Sequence, residues 1–373
     1  SMRVLIERNE LMRALGHVTS VVERRTTIPI LSNVLLKAIG SSLELKATDL
    51  EREVVEAVSA EVTQPGAVTV PAHMLNDIVR KLPDGCDIEI VRDAERERLT
   101  IRAGQSRFAL QTIAADVFPD FAAGKFTHTF EVQAADLKAL IKKTRFAIST
   151  EETRYYLNGI YLHTADRNGQ PTLRAVATDG HRLAQLDIDR PKGAHGMAGV
   201  IVPKKTVDEL HRLIEAADAT ITIGVSASKV RFEIGPITLV SKLIDGSFPD
   251  YQRVIPQGND KLMKVLTADF MSAVDRVSTI ASERGRGVKL TIAPEKLTLS
   301  VTSPDGGSAT EELAIDYGHN SFEIGFNARY LMDVSGQMES DTLHFLLADS
   351  ASPIIVKDGD DVRALYVLMP MRV

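Results

Sequence analysis

The sequence has little cysteine and few aromatic residues, and both shortages narrow the class of protein. Cys86 is the one cysteine among 373 residues, so no disulfide can form within the chain. No group of cysteine and histidine has the spacing of a zinc site. These features are typical of a reducing compartment and predict a cytoplasmic protein. Aromatic residues make up 5% and tryptophan is absent, so the cores must be built mainly from Leu, Ile, Val and Ala.

Long apolar runs and an excess of positive charge are missing as well. Arg3, Glu7 and Arg8 interrupt what would be the apolar core of a signal peptide. No run approaches the roughly 18 apolar residues of a membrane span. We therefore predict neither secretion nor a membrane partner. The net charge is -6, which by itself argues against bulk electrostatic attraction to nucleic acid.

The positive charges that are present collect on predicted helices. Lys138, Lys142 and Arg145 have i, i+4, i+7 spacing, which predicts three cations on one exposed helix face. For a single helix this pattern is usually an ordinary solvated face. Several helices with such faces, together with acid concentrated in the last third of the chain, indicate that the charge is unevenly distributed.

The chain repeats itself in three parts. A short strand that runs into an amphipathic helix recurs near Val4, Phe130 and Lys264, and each helix is predicted to begin after Asn or Asp. A second passage from strand to helix follows at Pro71 and Pro203, because proline ends a strand and suits the start of a helix. A weaker copy of this second passage occurs near the end of the chain.

Matching spacings set the length of the repeat. The motif Phe-Pro-Asp stands at residues 118–120 and 248–250, 130 residues apart. We predict three domains, at 1–125, 126–255 and 256–373, with hinges near residues 122–125 and 256–260. Between the helices, apolar and polar residues alternate, which predicts antiparallel strands with one solvated face. Each repeat is predicted to be a doubled β-α-β-β-β unit with two helices on one face of antiparallel sheets, an α+β fold.

Motifs of covalent or nucleotide chemistry are absent from the sequence. It contains neither a GxxxxGK[ST] phosphate loop nor a GxSxG elbow. In TDGHR at residues 178–182, Asp179 and His181 could ligate a metal or share a proton. The alternative is a turn, because Asp-Gly is a strong reversal signal and the counterpart TDLER at residues 48–52 lacks Gly-His. We favour the turn and predict no catalytic residue, no metal and no cofactor.

Five further strings resemble one known family along the whole chain. They are RYYLNG, ATDGHRLA, SKLIDGSFPDYQRV, IGFN and the final YVLMPMRV. These strings are similar to those of the bacterial DNA polymerase III beta subunits, the sliding clamps. The resemblance implies a head-to-tail homodimer whose six domains close into a ring around duplex DNA, with helices lining the hole. In such a ring DNA is retained by enclosure and the contacts are sequence-neutral, so the net charge of -6 no longer counts against DNA.

The resemblance also implies three sets of site residues. The DNA contacts are Arg25, Lys205, Tyr155 and Tyr156. The dimer interface is formed by Arg107, Phe108 and Leu110 of one chain and by Thr279 and Ile280 of the other. A groove binds short linear motifs of the polymerase III catalytic subunit, the clamp loader, other polymerases and repair proteins. The groove residues are Leu157, Thr178, Gly180, His181, Arg182, Leu183, Pro249, Arg253, Val254, Val367, Leu368, Met369, Pro370, Met371 and Arg372.

Two segments depart from the family pattern. Residues 304–312 (PDGGSATEE) lack a dense acidic stretch, so apolar packing is expected to carry more of the dimer interface. Pro353 replaces a small hydroxyl residue near the groove, which is expected to alter peptide preference. Two other functions remain open from the residues themselves: a metal-dependent hydrolase that uses Asp179 and His181, and a structural repeat scaffold that never contacts nucleic acid.

Overall fold

The computed structural model describes residues 2–121, 124–281 and 286–373, so residues 122 and 123 of the first predicted hinge lie outside the described part. The first repeat runs from a strand into a helix twice. Its first half contains β1 (Arg3–Glu7), α1 (Arg8–Thr19), β2 (Asn33–Ile39), β3 (Ser42–Thr48), β4 (Arg52–Ser59) and β5 (Glu61–Gln64). Its second half contains β6 (Gly66–Pro71), α2 (Ala72–Lys81), β7 (Asp87–Asp93), β8 (Arg98–Ala103), β9 (Ser106–Gln111) and β10 (Ile113–Ala114).

The second and third repeats follow the β-α-β-β-β order twice each. The second contains β11 (His128–Gln133), α3 (Ala134–Lys142), β12 (Gly159–Arg167), β13 (Gln170–Thr178), β14 (Arg182–Asp189), β15 (Val200–Pro203), α4 (Lys204–Ile214), β16 (Thr220–Val225), β17 (Lys229–Ile234) and β18 (Ile237–Lys242). The third contains β19 (Lys261–Leu266), α5 (Thr267–Ser278), β20 (Gly287–Ala293), β21 (Lys296–Thr302), β22 (Ser308–Ala314), β23 (Phe322–Asn327), α6 (Ala328–Ser335), β24 (Thr342–Leu347), β25 (Ile354–Asp358) and β26 (Ala364–Leu368). The predicted order is confirmed, and the first repeat adds β5 and β10.

The strands form four antiparallel sheets in two compact units, and the middle repeat contributes to both. The first unit comprises residues 1–135, 191–197 and 205–243, and the second comprises residues 136–190, 198–204 and 244–373. The first unit contains the sheets β5-β1-β7-β8-β9 and β10-β6-β2-β3-β4-β18-β17-β16-β11. The second unit contains the sheets β15-β12-β13-β14-β26-β25-β24-β19 and β22-β21-β20-β23. Strands of neighbouring repeats pair directly, β4 with β18 and β14 with β26.

The helices bury the apolar positions that the sequence pattern marks. In α1, Leu11, Leu15 and Val18 are fully buried, and the helix packs against α2, β3 and β4. In α5, Phe270 is fully buried and its ring centroid lies 5.2 Å from that of Phe345. Burial of side chains of this size contributes about 2 to 3 kcal/mol each, which fixes the helices on the sheets.

The predicted helix starts were wrong by two or more residues. Asn9, Asp136 and Asp269 lie inside the first turn of their helices, because each strand runs straight into its helix. In α1 the cap is Glu7, whose carboxylate accepts the backbone N–H groups of Asn9 and Glu10. The predictions at Pro71 and Pro203 are confirmed, since each proline is the last residue of its strand.

The exposed face predicted for α3 is also wrong in part. The helix ends at Lys142, and the next residue, Lys143, is buried with its ammonium 3.4 Å from Glu339 and 3.8 Å from Asp358. Arg145 therefore belongs to a separate short 3₁₀ helix, Arg145–Ala147. Because α3 ends before Arg145, this residue does not continue the helix face of Lys138 and Lys142.

Candidate functional site

The TDGHR segment forms a tight turn between β13 and β14. The hydroxyl of Thr178 donates to the carbonyl of Arg182 at 2.7 Å. One oxygen of Asp179 accepts the backbone N–H groups of His181 and Arg182, at 2.9 and 3.1 Å. Its other oxygen accepts from Nε of Arg182 at 3.2 Å. Gly180 has a φ of 87°, a left-handed conformation that favours glycine. Both oxygens of Asp179 are thus used within the turn, as the turn interpretation predicts.

A groove with a cavity volume of about 220 Å³ opens beside this turn. Four separate segments of the second unit converge there, and most of the wall is aliphatic or aromatic. Its lining residues are Arg154, Tyr156, Leu157, Thr178, Gly180, Arg182, Leu183, Pro249, Asp250, Tyr251, Val254, Val367 and Met369. The structure thus brings together nine residues of the predicted groove: Leu157, Thr178, Gly180, Arg182, Leu183, Pro249, Val254, Val367 and Met369.

Six residues of the predicted groove do not line this cavity. They are His181, Arg253, Leu368, Pro370, Met371 and Arg372. Arg253 is exposed and pairs with Asp250 at 3.0 Å. Leu368 is buried as the last residue of β26. The carbonyl of His181 accepts the N–H of Met369 at 3.0 Å, which ties the segment after β26 to the turn.

Arg182 connects the turn to the rest of the groove wall. Its guanidinium donates to Asp333 at 2.6 Å and to the carbonyl of Phe146 at 3.0 Å. It also lies 4.3 Å from the centroid of the Tyr330 ring. These contacts leave the side chain only 10% exposed and hold it in one orientation. The guanidinium is therefore neutralised by two carboxylates, Asp179 and Asp333, and braces the polar edge of the groove.

Tyr251 forms part of the groove floor and was missed by the sequence analysis, as were Arg154 and Asp250. Its hydroxyl lies 2.7 Å from Nε2 of His163 and accepts from Arg174 at 3.1 Å. The only signal for it was its position directly after Phe-Pro-Asp. Tyr156, which was assigned to DNA, also lines the groove.

A buried polar row supports that floor. His163, Arg174 and Asp187 are cross-strand neighbours on β12, β13 and β14, and each is less than a tenth exposed. Arg174 donates to both oxygens of Asp187, at 2.6 and 3.0 Å, so the buried charges are paired. Burial and the Arg174 charge lower the pKa of His163 to about 4. His163 is therefore neutral at pH 7 and can hydrogen-bond Tyr251 without a charge.

The predicted DNA contacts belong to different units. Arg25 is exposed in the loop after α1, and Lys205 is exposed in α4 with its ammonium 3.2 Å from Glu23. Both lie in the first unit. Tyr155 lies in the second unit, is 53% exposed and meets Tyr156 edge to face at 5.7 Å.

The predicted interface residues lie at sheet edges and helix ends. Arg107, Phe108 and Leu110 are on β9, the last strand of its sheet. Phe108 is half-buried and Leu110 is buried. Thr279 and Ile280 directly follow the end of α5, outside the helix in which they were expected.

Two kinds of feature are absent from the described part of the chain, residues 2–121, 124–281 and 286–373. In this part of the chain no group of three or more His, Cys, Asp or Glu side chains could hold a metal ion. Over the same residues, every helix is too short or too polar to cross a membrane.

Three repeats of one α+β unit, with sheets that continue from repeat to repeat, are the architecture of the DNA clamps. Family models of the DNA polymerase III beta subunit match the whole chain in order: the N-terminal domain at residues 2–122, the central domain at 131–250 and the C-terminal domain at 252–372. The chain belongs to the DNA polymerase III beta subunit family.

Individual relatives agree with this assignment. The beta sliding clamp of Caulobacter vibrioides is 52% identical over 372 residues and covers 100% of both chains. A crystal structure of the C. crescentus beta sliding clamp with bound PEG has a TM-score of 0.97 at 52% identity, covering 100% of this chain and 99% of the other. That of the Bartonella birtlesii clamp bound to griselimycin has a TM-score of 0.96 at 50% identity, covering 100% of both.

The function follows from the family. The protein is a DNA sliding clamp, a processivity factor of the polymerase without catalytic activity of its own, and its ring is formed by the dimer. Encircling DNA and binding polymerase are the activities of the family. A non-catalytic clamp needs only to keep a tethered polymerase at high effective concentration near its template.

Proposed function

We propose that the groove beside residues 178–182 is the site where this clamp binds its partners. The observation that carries the proposal is the convergence of four distant segments on one apolar cavity of about 220 Å³. Leu183 and Val367 form the buried wall, Met369 and Val254 the exposed rim, and Arg182 the polar edge. Flexible and branched aliphatic side chains adapt to several peptides, so one groove serves the polymerase III catalytic subunit, the clamp loader, other polymerases and repair proteins in turn.

Griselimycin provides a probe for this groove. Two structures of relatives, from Bartonella birtlesii and Pseudomonas aeruginosa, are described as bound to griselimycin. We expect this chain to bind griselimycin in the same groove, in competition with a peptide of the polymerase III catalytic subunit. Titration calorimetry with griselimycin, with and without the peptide, measures both.

Two exposed valines allow a matched test. Val254 lines the groove and is 53% exposed, while Val362 is 63% exposed and lies outside the lining. V254D places a charge on the apolar rim and should weaken griselimycin binding by about 100-fold, whereas V362D should leave it unchanged. Equal affinity in both variants would place the binding site elsewhere.

We also propose that Arg25, Lys205, Tyr155 and Tyr156 contact duplex DNA. Lys205 is exposed and pairs with Glu23, an ion pair that exchanges readily for a phosphate. The exposed ring of Tyr155 can lie against a sugar. Such contacts are few and sequence-neutral, which suits a clamp that slides.

Loading on nicked circular DNA tests this proposal. The wild-type clamp should stay on the circle and be lost once the circle is cut, because enclosure alone retains it. R25A/K205A should load more slowly, and K242A should not, although Lys242 also pairs with a glutamate, Glu51, at 3.9 Å. Loss from the intact circle as fast as from the cut circle would contradict retention by enclosure, and equal loading of R25A/K205A and wild type would contradict the assigned DNA contacts.

We propose that β9 of one chain and the end of α5 of the other form the dimer interface, through Arg107, Phe108, Leu110, Thr279 and Ile280. Among the described residues β9 pairs only with β8 and β22 only with β21, so each has a free edge. Free edges of this kind pair readily with another chain.

Apolar packing carries this interface in the proposal. The carboxylate of Glu311 is already held by Arg276 at 2.7 Å, and Glu312 by Lys296 at 3.6 Å. The dimer should therefore persist in 0.5 M salt and separate in I280D, as sedimentation would measure. We further propose domain boundaries at 1–125, 126–255 and 256–373 and a cytoplasmic location, at the nucleoid during replication.

A further inference from the structure

The segment after β26, residues 369–373, is held at two points. The N–H of Met369 donates to the carbonyl of His181 at 3.0 Å, next to the groove. The N–H of Met371 donates to the carbonyl of Gly325 on β23 at 2.8 Å and forms an isolated antiparallel bridge there. Met369 lines the groove and Met371 does not, so the second attachment fixes the segment beyond the groove.

Two glycines leave room for this segment on the third-repeat sheet. A Cβ on Gly325 would lie 2.5 Å from the carbonyl oxygen of Met371 and would overlap the side chain of Val373. A Cβ on Gly287 would overlap the same side chain and lie 3.4 Å from Cε of Met371. Gly287 pairs with Asn327, two residues from Gly325, so both glycines are on one face of the sheet.

The burial of β23 shows that this face is covered. Ile324 and Phe326 point into the core and are buried. On the opposite face Glu323 is exposed, yet Gly325 beside it is buried. Residues 371–373 are the part of the chain that closes over it.

We infer that Gly287 and Gly325 are positioning residues for the partner-binding groove, acting through Val373 and Met371 to hold Met369 at its rim. The inference rests on the proposed function of the groove. A rim residue that is already ordered binds a peptide at a lower entropy cost, because less of the chain is immobilised on binding. Neither glycine touches the peptide in this arrangement.

A thermodynamic cycle tests the inference. G287A, V373G and the double variant G287A/V373G are titrated with griselimycin beside wild type. G287A displaces Val373 and should weaken binding by about tenfold, and V373G, which removes the seated side chain, should do the same. The double variant should match V373G alone, because no side chain remains for the new Cβ to displace. G318A is the matched control, since a Cβ there meets nothing within 4 Å.

Each outcome of this cycle either supports or overturns the inference. Unchanged affinity in G287A or V373G would overturn the inference, and so would an equal tenfold loss from G287A in both backgrounds, which would indicate distortion of β20. Because Val373 is 55% exposed, V373G keeps the fold and remains informative even if G287A does not fold. Failure of the proposed function is distinct: wild type would not bind griselimycin, or V254D would bind it normally.

Discussion

Two turns of this chain have the same hydrogen bonds and different surroundings. In residues 48–52 the hydroxyl of Thr48 donates to the carbonyl of Arg52 at 2.7 Å, as that of Thr178 does to Arg182 in residues 178–182. The aspartate of each turn accepts two backbone N–H groups and pairs with the arginine. The third residue has positive φ in both, 75° at Leu50 and 87° at Gly180.

The cavities beside the two turns have similar volumes, but the side chains that line them differ in polarity. Beside the first turn lies a cavity of about 230 Å³, against about 220 Å³ beside the second. The first is lined mainly by charged side chains: Ser20, Val21, Glu23, Asp49, Arg52, Lys205, Asp208 and Glu209. Covering charged side chains is unfavourable because they lose their hydration, whereas covering aliphatic side chains is favourable because it removes apolar surface from water. The turn is therefore a common scaffold, and the adjoining segments determine whether the cavity beside it is charged or apolar.

Removing residues 369–373, a segment that the second turn has beside it and the first turn lacks, should have the largest effect on griselimycin binding. Deletion of residues 369–373 takes away the rim residue Met369 and the attachment of Met371 to Gly325. We expect griselimycin binding to fall by more than about 100-fold, because an apolar rim and its anchor are lost together.

The dimer is the control for this deletion. Its proposed interface is formed by β9 and the end of α5, so sedimentation should still show a dimer. Dissociation to monomers would mean that the segment also supports the subunit interface, and retained binding would mean that the groove does not depend on it.

The buried polar row of His163, Arg174 and Asp187 under the second turn should make the second unit less stable at acidic pH. Tyr251 follows Phe-Pro-Asp and hydrogen-bonds His163, whereas Phe121, at the corresponding place after residues 118–120, lies 4.4 Å from the Lys229 ammonium. The pKa of His163 is lowered to about 4 from 6.5, mainly by burial. Below pH 6.5 His163 binds a proton in the unfolded state but not in the folded state. The free energy of unfolding is therefore highest above pH 6.5 and falls as the pH is lowered toward 4.

The loss should amount to about 3 kcal/mol across that range. Urea unfolding of wild type and H163Q between pH 4 and 7 measures it, because glutamine keeps a hydrogen-bond partner for Tyr251 without titrating. The difference between the two proteins isolates His163 from the other acidic and basic groups. Parallel curves for wild type and H163Q would show that His163 does not carry the dependence.

The sequence predicts more of the fold than of the groove floor, for physical reasons. Alternation and helix periodicity depend on neighbours in the chain, so the β-α-β-β-β order could be predicted. His163 and Arg174 are polar side chains on strands, a position for which the sequence gives no sign of burial, and their contacts with Tyr251 join segments that are distant in the chain. The helix starts were misplaced because β1 runs into α1 without a break. The nine groove residues that line the cavity were predicted from the family resemblance, and none of them was predicted from periodicity.

Replacing Gly180 of the second turn by leucine, the residue at the equivalent position of the first turn, should have a smaller effect. A Cβ at Gly180 would lie 2.8 Å from Nη1 of Arg154, whose half-exposed side chain can move aside. G180L should therefore fold, since Leu50 shows that the turn accepts leucine, and should weaken griselimycin binding by about tenfold by displacing Arg154 from the rim. Thermal unfolding and calorimetry on the same sample separate the two effects. Loss of the fold would contradict the equivalence of the turns.

The reverse change, L50G, should have the smallest effect. Glycine relieves the left-handed backbone at residue 50, which favours folding. It also removes the contacts of the leucine side chain, which is 39% exposed, and adds freedom to the unfolded chain. These contributions oppose one another, so the free energy of unfolding should change by less than about 1 kcal/mol. Griselimycin binding should be unchanged, because the cavity beside the first turn is charged and Leu50 does not line it. A change in affinity in L50G would show that the first turn takes part in partner binding and that the two turns are functionally alike.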